Sequence, residues 1–344
     1  MGKCGKKLLL IAMFVFGEKY QEYIPLQFYS LYKNYPEYDA VVYVDSAINS
    51  KIEKTLTKIP GYKKKYQIAR IHIKSQGMSS FGLMEAYRWV MHYNIFDQYE
   101  YVYIGDIDIF ICKEHSPLHE QHIQHMHAQK LCYSNVVRPC KVPRTLDTHK
   151  ELLEKIGIYH FALAFYNDFL LPKRFSGLHF VKADAYYSAI DQWRKHYLSI
   201  YSGRGLRNRI CCWKSRWKYS LYSNNESLLY HIIKKSGLKL PKQMENADDL
   251  MLCQDSRSHN FRPLHGIHFG VWRGREQREY WKHHFLDKEP YLNYYWQFKE
   301  LYDTDPVLQD IIKRSSAEIR RIINNMMTDY EFVIGHKQSS ETLK

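Results

Sequence analysis

The chain has 344 residues, an apolar share of 45%, thirty Tyr, sixteen Phe and seven Trp, which is ample core material and argues against a disordered chain. Its formal charge of +14 points to an acidic partner: a sugar nucleotide, nucleic acid or an anionic membrane surface. Seven scattered Cys (Cys4, Cys112, Cys132, Cys140, Cys211, Cys212 and Cys253) contain no C-x-x-C pair, which argues against a disulfide framework and fits a reduced, cytosolic setting.

Leu8–Phe16, preceded by Lys6-Lys7, reads as an opening strand. It has the look of a signal-peptide start, but no small-x-small cleavage site follows and the run is too short to span a bilayer. Gly2 lacks the downstream Ser or Thr of a myristoylation signal. No other run reaches transmembrane length. The expectation is a soluble, cytoplasmic protein, with peripheral contact at the inner face of the membrane left open. Gly17-Glu18-Lys19-Tyr20 is the first loop and Gln21–Tyr32 a helix. Asp39–Val44 is a second strand ending at Asp45-Ser46, with a Lys-rich helix over Ile48–Ile59. Gln67–Ile73 is a third strand and Ser80–Phe96 a helix. Strands alternating with helices predict a parallel, three-layer α/β sheet. In such sheets ligands bind outside the carboxyl ends of the strands, where Phe16, Asp45 and Asp106 fall.

Tyr101–Ile111 is the stretch around which the rest is organised. It reads as a buried strand carrying Asp106 and Asp108 at i, i+2, so the two carboxylates are expected on one face with Ile107 turned inward. Two like charges at the end of an apolar strand suit a hard divalent cation, magnesium or manganese. Two solvated acids are the plainer alternative. Residues 112–150 lose periodicity and carry His115, His119, His122, His125 and His127; no nearby set completes a zinc site, and an exposed variable segment is expected. Tyr159–Tyr166 and Phe175–Val181 read as further strands, the second interrupted by Ser176-Gly177. His179 is either a ligand contact or a core histidine. Residues 203–218 are basic and contain Trp.

Asn225-Glu226-Ser227 opens a helix, and Leu238-Lys239-Leu240-Pro241 follows it. Leu264–Gly274 brings His265, His268 and Arg273 together; imidazole can complete a metal shell begun by carboxylates, and Arg can neutralise a diphosphate. Beyond residue 280 the chain turns helical, with Leu308, Ile311, Ile312, Ile319, Ile322, Ile323 and Met326 on one face among basic residues. Core packing is the default reading of that face and an anionic membrane surface the alternative.

An apolar strand ending in Asp106-Ile107-Asp108 resembles the metal and nucleotide-sugar motif of GT-A glycosyltransferases. The helix opening at Asn225-Glu226 and the segment around His268-Phe269 resemble, in the same order, those of retaining families 6 and 8. Departures are Asn225 for the usual Asp, Gly270 one residue early, Arg273 for Lys and a missing Pro-Trp. The resemblance implies a GT-A fold, Rossmann-like and mostly parallel, over 1–278, with 1–111 as nucleotide-binding half, 155–278 as acceptor and catalytic half, and 279–344 as a helical C-terminal extension. It implies a hexosyltransferase moving a sugar from a nucleoside-diphosphate donor, UDP-hexose first, to a hydroxyl of a glycan or lipid-linked glycan, in capsule or lipopolysaccharide synthesis. Asp106, Asp108 and His268 would hold Mn2+ or Mg2+, with His265 in reserve. Phe16, Tyr20, Asp45, Asp106 and Arg273 would contact the donor nucleotide, Tyr20 by stacking on the base. Glu226, with Asn225, would face the anomeric carbon. The alternatives are an inverting enzyme with Glu226 or Asp184 as base, a sugar-1-phosphate nucleotidyltransferase, and a non-enzymatic nucleic-acid-binding protein. The last lacks a recognition motif, and no nucleic acid is expected as partner.

Overall fold

The computed structural model describes residues 5–71, 81–138, 149–158, 173–202, 225–241 and 265–341. Its strands are β1 (Lys7–Val15), β2 (Asp39–Val44), β3 (Tyr66–Arg70), β4 (Tyr99–Gly105), β5 (Ile109–Ile111), β6 (Tyr133–Ser134), β7 (Val137–Arg138), β8 (Arg174–Phe175), β9 (His179–Lys182) and β10 (Gly266–His268). The main sheet has the order β3-β2-β1-β4-β9-β6. β3, β2, β1 and β4 run parallel, while β9 and β6 are antiparallel. The expected α/β architecture with a mostly parallel sheet and C-terminal helices is therefore what the structure shows.

Period-two alternation divides the core. Leu9, Ile11, Met13 and Val15 of β1 join one buried cluster, with the helix Ile24–Asn34 and the C-terminal helices. Leu10, Ala12, Phe14 and Phe16 join the other, with the helices Phe81–Val90, Ala183–Ser202 and Asn225–Lys235. A parallel strand buried on both faces reads as one apolar run, which is why Leu8–Phe16 shows no alternation in sequence. After β3 the chain crosses to the other side of β1 to form β4, so a switch point opens between the carboxyl ends of β1 and β4.

Two expectations are corrected, and the default reading of the C-terminal stripe holds. The stretch Tyr101–Ile111 is not one strand: β4 ends at Gly105, Asp106 to Asp108 form a turn, and β5 leaves the main sheet to pair with β10. A stretch whose two ends pair with different sheets must turn between them, so the carboxylates share a cleft through that turn rather than through strand alternation. Residues 112–138 are no exposed segment. Leu118–Gln129 is a helix, and His122 and His125 are buried with Leu118 and Met126. Leu308, Ile311, Ile312, Ile319, Ile322, Ile323 and Met326 are 0–7% exposed and belong to the core beneath β1, so that stripe offers no face to a membrane. Each fully buried aliphatic side chain of this kind contributes about 1.5–3 kcal/mol. The helix Pro306–Arg314 within this layer is started by Asp305, which accepts from Val307 N and Leu308 N and pairs with Lys33.

Boundaries shift elsewhere. The first helix divides into Glu18–Gln21 and Ile24–Asn34, and the one before β4 ends at Val90 with a 3-10 turn over Asn94–Gln98. The expected strand Tyr159–Tyr166 and the basic stretch 203–218 lie outside the described residues. No helix among the described residues is long and apolar enough to cross a membrane.

Candidate active site

A cleft of about 220 Å³ opens at the switch point, lined by Phe14, Phe16, Tyr20, Glu85, Arg88, Asp106, Ile107, Asp108 and His268. Its position follows from the strand order. β4 delivers Asp106 beside the end of β1, and the turn brings Asp108 round to β10.

The β5–β10 ladder pairs His268 with Ile109, and Phe269 N donates to Asp108 O at 2.8 Å. That register sets His268 Nε2 3.2 Å from Asp108 Oδ1, while Arg273 Nη2 lies 3.0 Å from Asp108 Oδ2. Burial alone would raise the pKa of the Asp108 carboxyl; the His268 ring and then the Arg273 guanidinium outweigh it and hold it below the usual carboxylate value. Burial likewise disfavours protonated His268, yet Asp108 wins and raises its pKa. Arg273 continues onto two aromatics. It donates to Tyr20 OH and Tyr23 OH, and its guanidinium lies 4.9 Å from the Tyr20 ring centroid and 5.2 Å from that of Tyr23. Gly270 keeps this corner open, since a Cβ there would sit 3.0 Å from His268 Nε2 and 3.1 Å from Asp108 Oδ2.

Across the cleft, Arg88 Nη1 pairs with Asp106 Oδ1 at 2.5 Å. Gly177 lies close to two carboxylates on this side. A Cβ on it would be 3.2 Å from Arg88 Nη2, 3.3 Å from Asp106 Oδ2 and 3.4 Å from Glu226 Oε1. Glu226 opens its helix as expected and accepts from Arg174 Nη1 at 3.4 Å. Asn225 is the first residue of that helix, and its side chain lies outside the described residues.

The remaining expected residues are placed as follows. Phe16 is buried at the end of β1 and lines the cleft, as does Tyr20. Both oxygens of Asp45 accept from Gly17 N at 3.1 Å, so Asp45 ties the first loop to the end of β2. His265 does not enter the cleft; it is buried against Glu114 and His122. His179 is fully buried, with Nδ1 3.0 Å from Asn135 Nδ2, and burial pushes its pKa down to about 3. Asp184 is 69% exposed and pairs with Lys6, before the amino end of β1 and so at the opposite edge of the sheet from the cleft. That removes it as a candidate base.

Sequence reasoning missed Arg88 and Arg174. A signal for Arg88 was present: it is the one cation in the otherwise apolar run Phe81–Val90 apart from Glu85, its neighbour at i−3. Arg174 carried no comparable signal.

Asp108 and His268 are spaced to offer two donors to a divalent cation. Octahedral ligands at about 2.1 Å stand about 3 Å apart along an edge, close to the Asp108–His268 separation. Among the described residues no three His, Cys, Asp or Glu side chains could hold an ion by themselves. The fit is thus an open edge from Asp108 and His268, with Asp106 across the cleft, and magnesium-type sites usually draw their other ligands from water and substrate phosphates.

No family model and no curated protein matches the chain. Among solved structures it is similar to the mannosyltransferase Ktr4p from S. cerevisiae, 14% identical over 59% of this chain and 63% of that one, with a TM-score of 0.38. The match thus spans under two thirds of the yeast protein. The chain is also similar to core-mannan synthase A from Aspergillus fumigatus in its Mn/GDP form, 12% identical over 68% of this chain and 71% of that one, TM-score 0.37. An active-site mutant of LgtC is 12% identical over 64% and 68%, TM-score 0.31. All three are partial likenesses at low identity.

Proposed function

We propose that the chain is a metal-dependent glycosyltransferase moving a hexose from a nucleoside-diphosphate donor to a hydroxyl of a glycan or glycolipid. The observation that carries this is the two-banked cleft. Asp108, His268 and Arg273 form an anion-and-metal bank, and Asp106 and Glu226 converge on the space beside Gly177. Asp106, Asp108 and His268 would hold a divalent cation, which would supply positive charge to the leaving diphosphate. Arg273, with Tyr20 and Tyr23 beneath it, offers fixed donors to the same diphosphate and an aromatic face to the base. Arg88 orients Asp106, and Arg174 orients Glu226 toward the sugar.

The retaining course is favoured because Glu226 stands where the sugar would lie and Asp184 does not. An oxocarbenium-like centre near the Gly177 backbone would meet the Glu226 carboxylate directly. A nucleotidyltransferase fits less well, since Lys19 of the first loop is paired with Glu318 instead of facing the cleft. Assignment to capsule or lipopolysaccharide synthesis, with a lipid-linked acceptor at an anionic membrane, rests on the charge of +14 and not on the buried C-terminal stripe. The test is a screen of uridine- and guanosine-linked sugars for manganese-dependent release of nucleoside diphosphate. Release from at least one donor, lost on chelation, is expected. No release from any of them, with or without candidate acceptors, would refute the proposal.

A further inference from the structure

The proposed reaction uses one end of the short β5–β10 ladder. The other end carries a second acid–histidine pair with no part in that chemistry. Cys112 N donates to His265 O at 3.0 Å, and His265 Nδ1 lies 2.7 Å from Glu114 Oε2, both side chains almost wholly buried. Glu114 also accepts from Tyr294 OH and, at 2.6 Å, from Gln121 Nε2. Burial would raise its pKa, but His265, Tyr294 and Gln121 outweigh burial and hold it below the usual value. His265 Nε2 faces His122 Nε2 at 3.0 Å; His122 Nδ1 is 2.8 Å and His125 Nδ1 2.9 Å from Ser134 Oγ.

With the ionised Glu114 carboxylate as acceptor, His265 Nδ1–H donates to it, and Nε2 of the same ring meets His122. Burial drives the pKa of His122 well down, so that ring is neutral. His265 meanwhile holds a left-handed backbone, φ 51°, which non-glycine residues adopt rarely unless their surroundings impose it.

β10 is three residues long and, among the described residues, pairs with β5 alone. Gly266 helps fix the register, since a Cβ there would meet Phe110 O at 2.0 Å, and a slip of one residue would present Ile267 or Phe269 to Asp108 in place of His268. A buried acid–base pair costs desolvation that an apolar pair would not, and fixing a register is the best-attested use of such pairs.

We propose that Glu114 and His265 are positioning residues for His268, pinning the far end of the ladder so that His268 meets Asp108 at the near end. The inference rests on the metal reading of the cleft. It is tested on the full chain with Glu114→Gln, which keeps shape and removes charge, and His265→Asn, since Asn tolerates the left-handed backbone but cannot reach both partners. Three quantities are measured for each: manganese affinity by electron paramagnetic resonance with uridine diphosphate present, uridine diphosphate affinity without metal, and melting temperature. Both variants should bind manganese about tenfold more weakly, as is usual when groups orienting a ligand are lost. Metal-free uridine diphosphate affinity should stay within about twofold of wild type, because Tyr20 and Arg273 are untouched. Wild-type manganese affinity in a folded variant overturns the proposal, and so does an equal loss of both affinities, which marks general loosening. If Glu114→Gln does not fold, His265→Asn decides by the same two criteria. A wild type that binds no manganese overturns the reading of the cleft and this inference with it, a result distinct from variants that bind as well as the wild type.

Discussion

Replacing Gly177 with Ala separates catalytic geometry from stability more cleanly than any charge removal. Its φ is not in the left-handed region, so Ala is allowed there, and the loss of unfolded-state freedom favours the variant by about 0.4–1 kcal/mol. Against that stand contacts of 3.2–3.4 Å to the ends of Arg88, Asp106 and Glu226, which shift by a few tenths of an ångström at small cost. Net stability should change by less than about 1 kcal/mol, or about 3 °C in melting temperature. Turnover should behave differently. The new methyl occupies the point from which Asp106 and Glu226 are both within 3.4 Å, where a sugar served by both carboxylates has to lie. A displacement of the reacting centre by about 1 Å costs about 100-fold, or about 2.7 kcal/mol of barrier. The assay is manganese-dependent release of nucleoside diphosphate, run beside thermal melting and manganese binding. A Gly177→Ala enzyme turning over within about threefold of wild type would refute the claim that sugar passes between these carboxylates.

Asp106→Asn and Asp108→Asn should each abolish metal-dependent turnover, by more than about 100-fold, with the fold retained by circular dichroism; full activity of Asp108→Asn under chelation would be incompatible with the metal reading. Glu226→Gln should lower kcat strongly while donor affinity changes little, because its contact strengthens only in the transition state; near-normal turnover with a melting point lowered by the loss of an acid at a helix start would make Glu226 structural. Stability should fall as pH drops from 7 to 5. His122 and His179 have folded pKa values below their unfolded ones, so at these two the unfolded chain takes up more protons in that window, while His268, raised by Asp108, offsets part of the loss. The expected loss is about 2 kcal/mol per histidine, read from urea midpoints at the two pH values, and a flat profile would contradict their neutral burial.

Local pattern revealed those parts of the molecule whose partners are near or whose chemistry is unusual. The apolar run of β1 and the acid pair after β4 stood out because few other structures explain them. The family resemblance, rather than local pattern, singled out His268 over His265, and in the structure it is His268 that meets Asp108. What escaped was set by distant pairing. Nothing local says that Ile109–Ile111 leaves one sheet for another, since its partner is β10. The helix Leu118–Gln129 was overlooked because His was counted as polar. With His122 and His125 scored as buried, Leu118, His122, His125 and Met126 form a regular helical stripe. Arg174 meets Glu226 only because β8 and the helix start at Asn225 pack together, 52 residues apart in sequence.

The ladder between β5 and β10 also sets a timetable. Arg273 lies 165 residues beyond Asp108, so at synthesis rates of about 5–20 residues per second roughly 8–33 s separate the two. Throughout that interval every parallel strand of the main sheet has emerged, while Asp108 still lacks both cationic neighbours. A nascent chain stalled before residue 266 therefore lacks two of the groups by which the proposed site would hold a diphosphate. The same last quarter of the polypeptide completes the layer over one face of β1, so cleft and core are finished together.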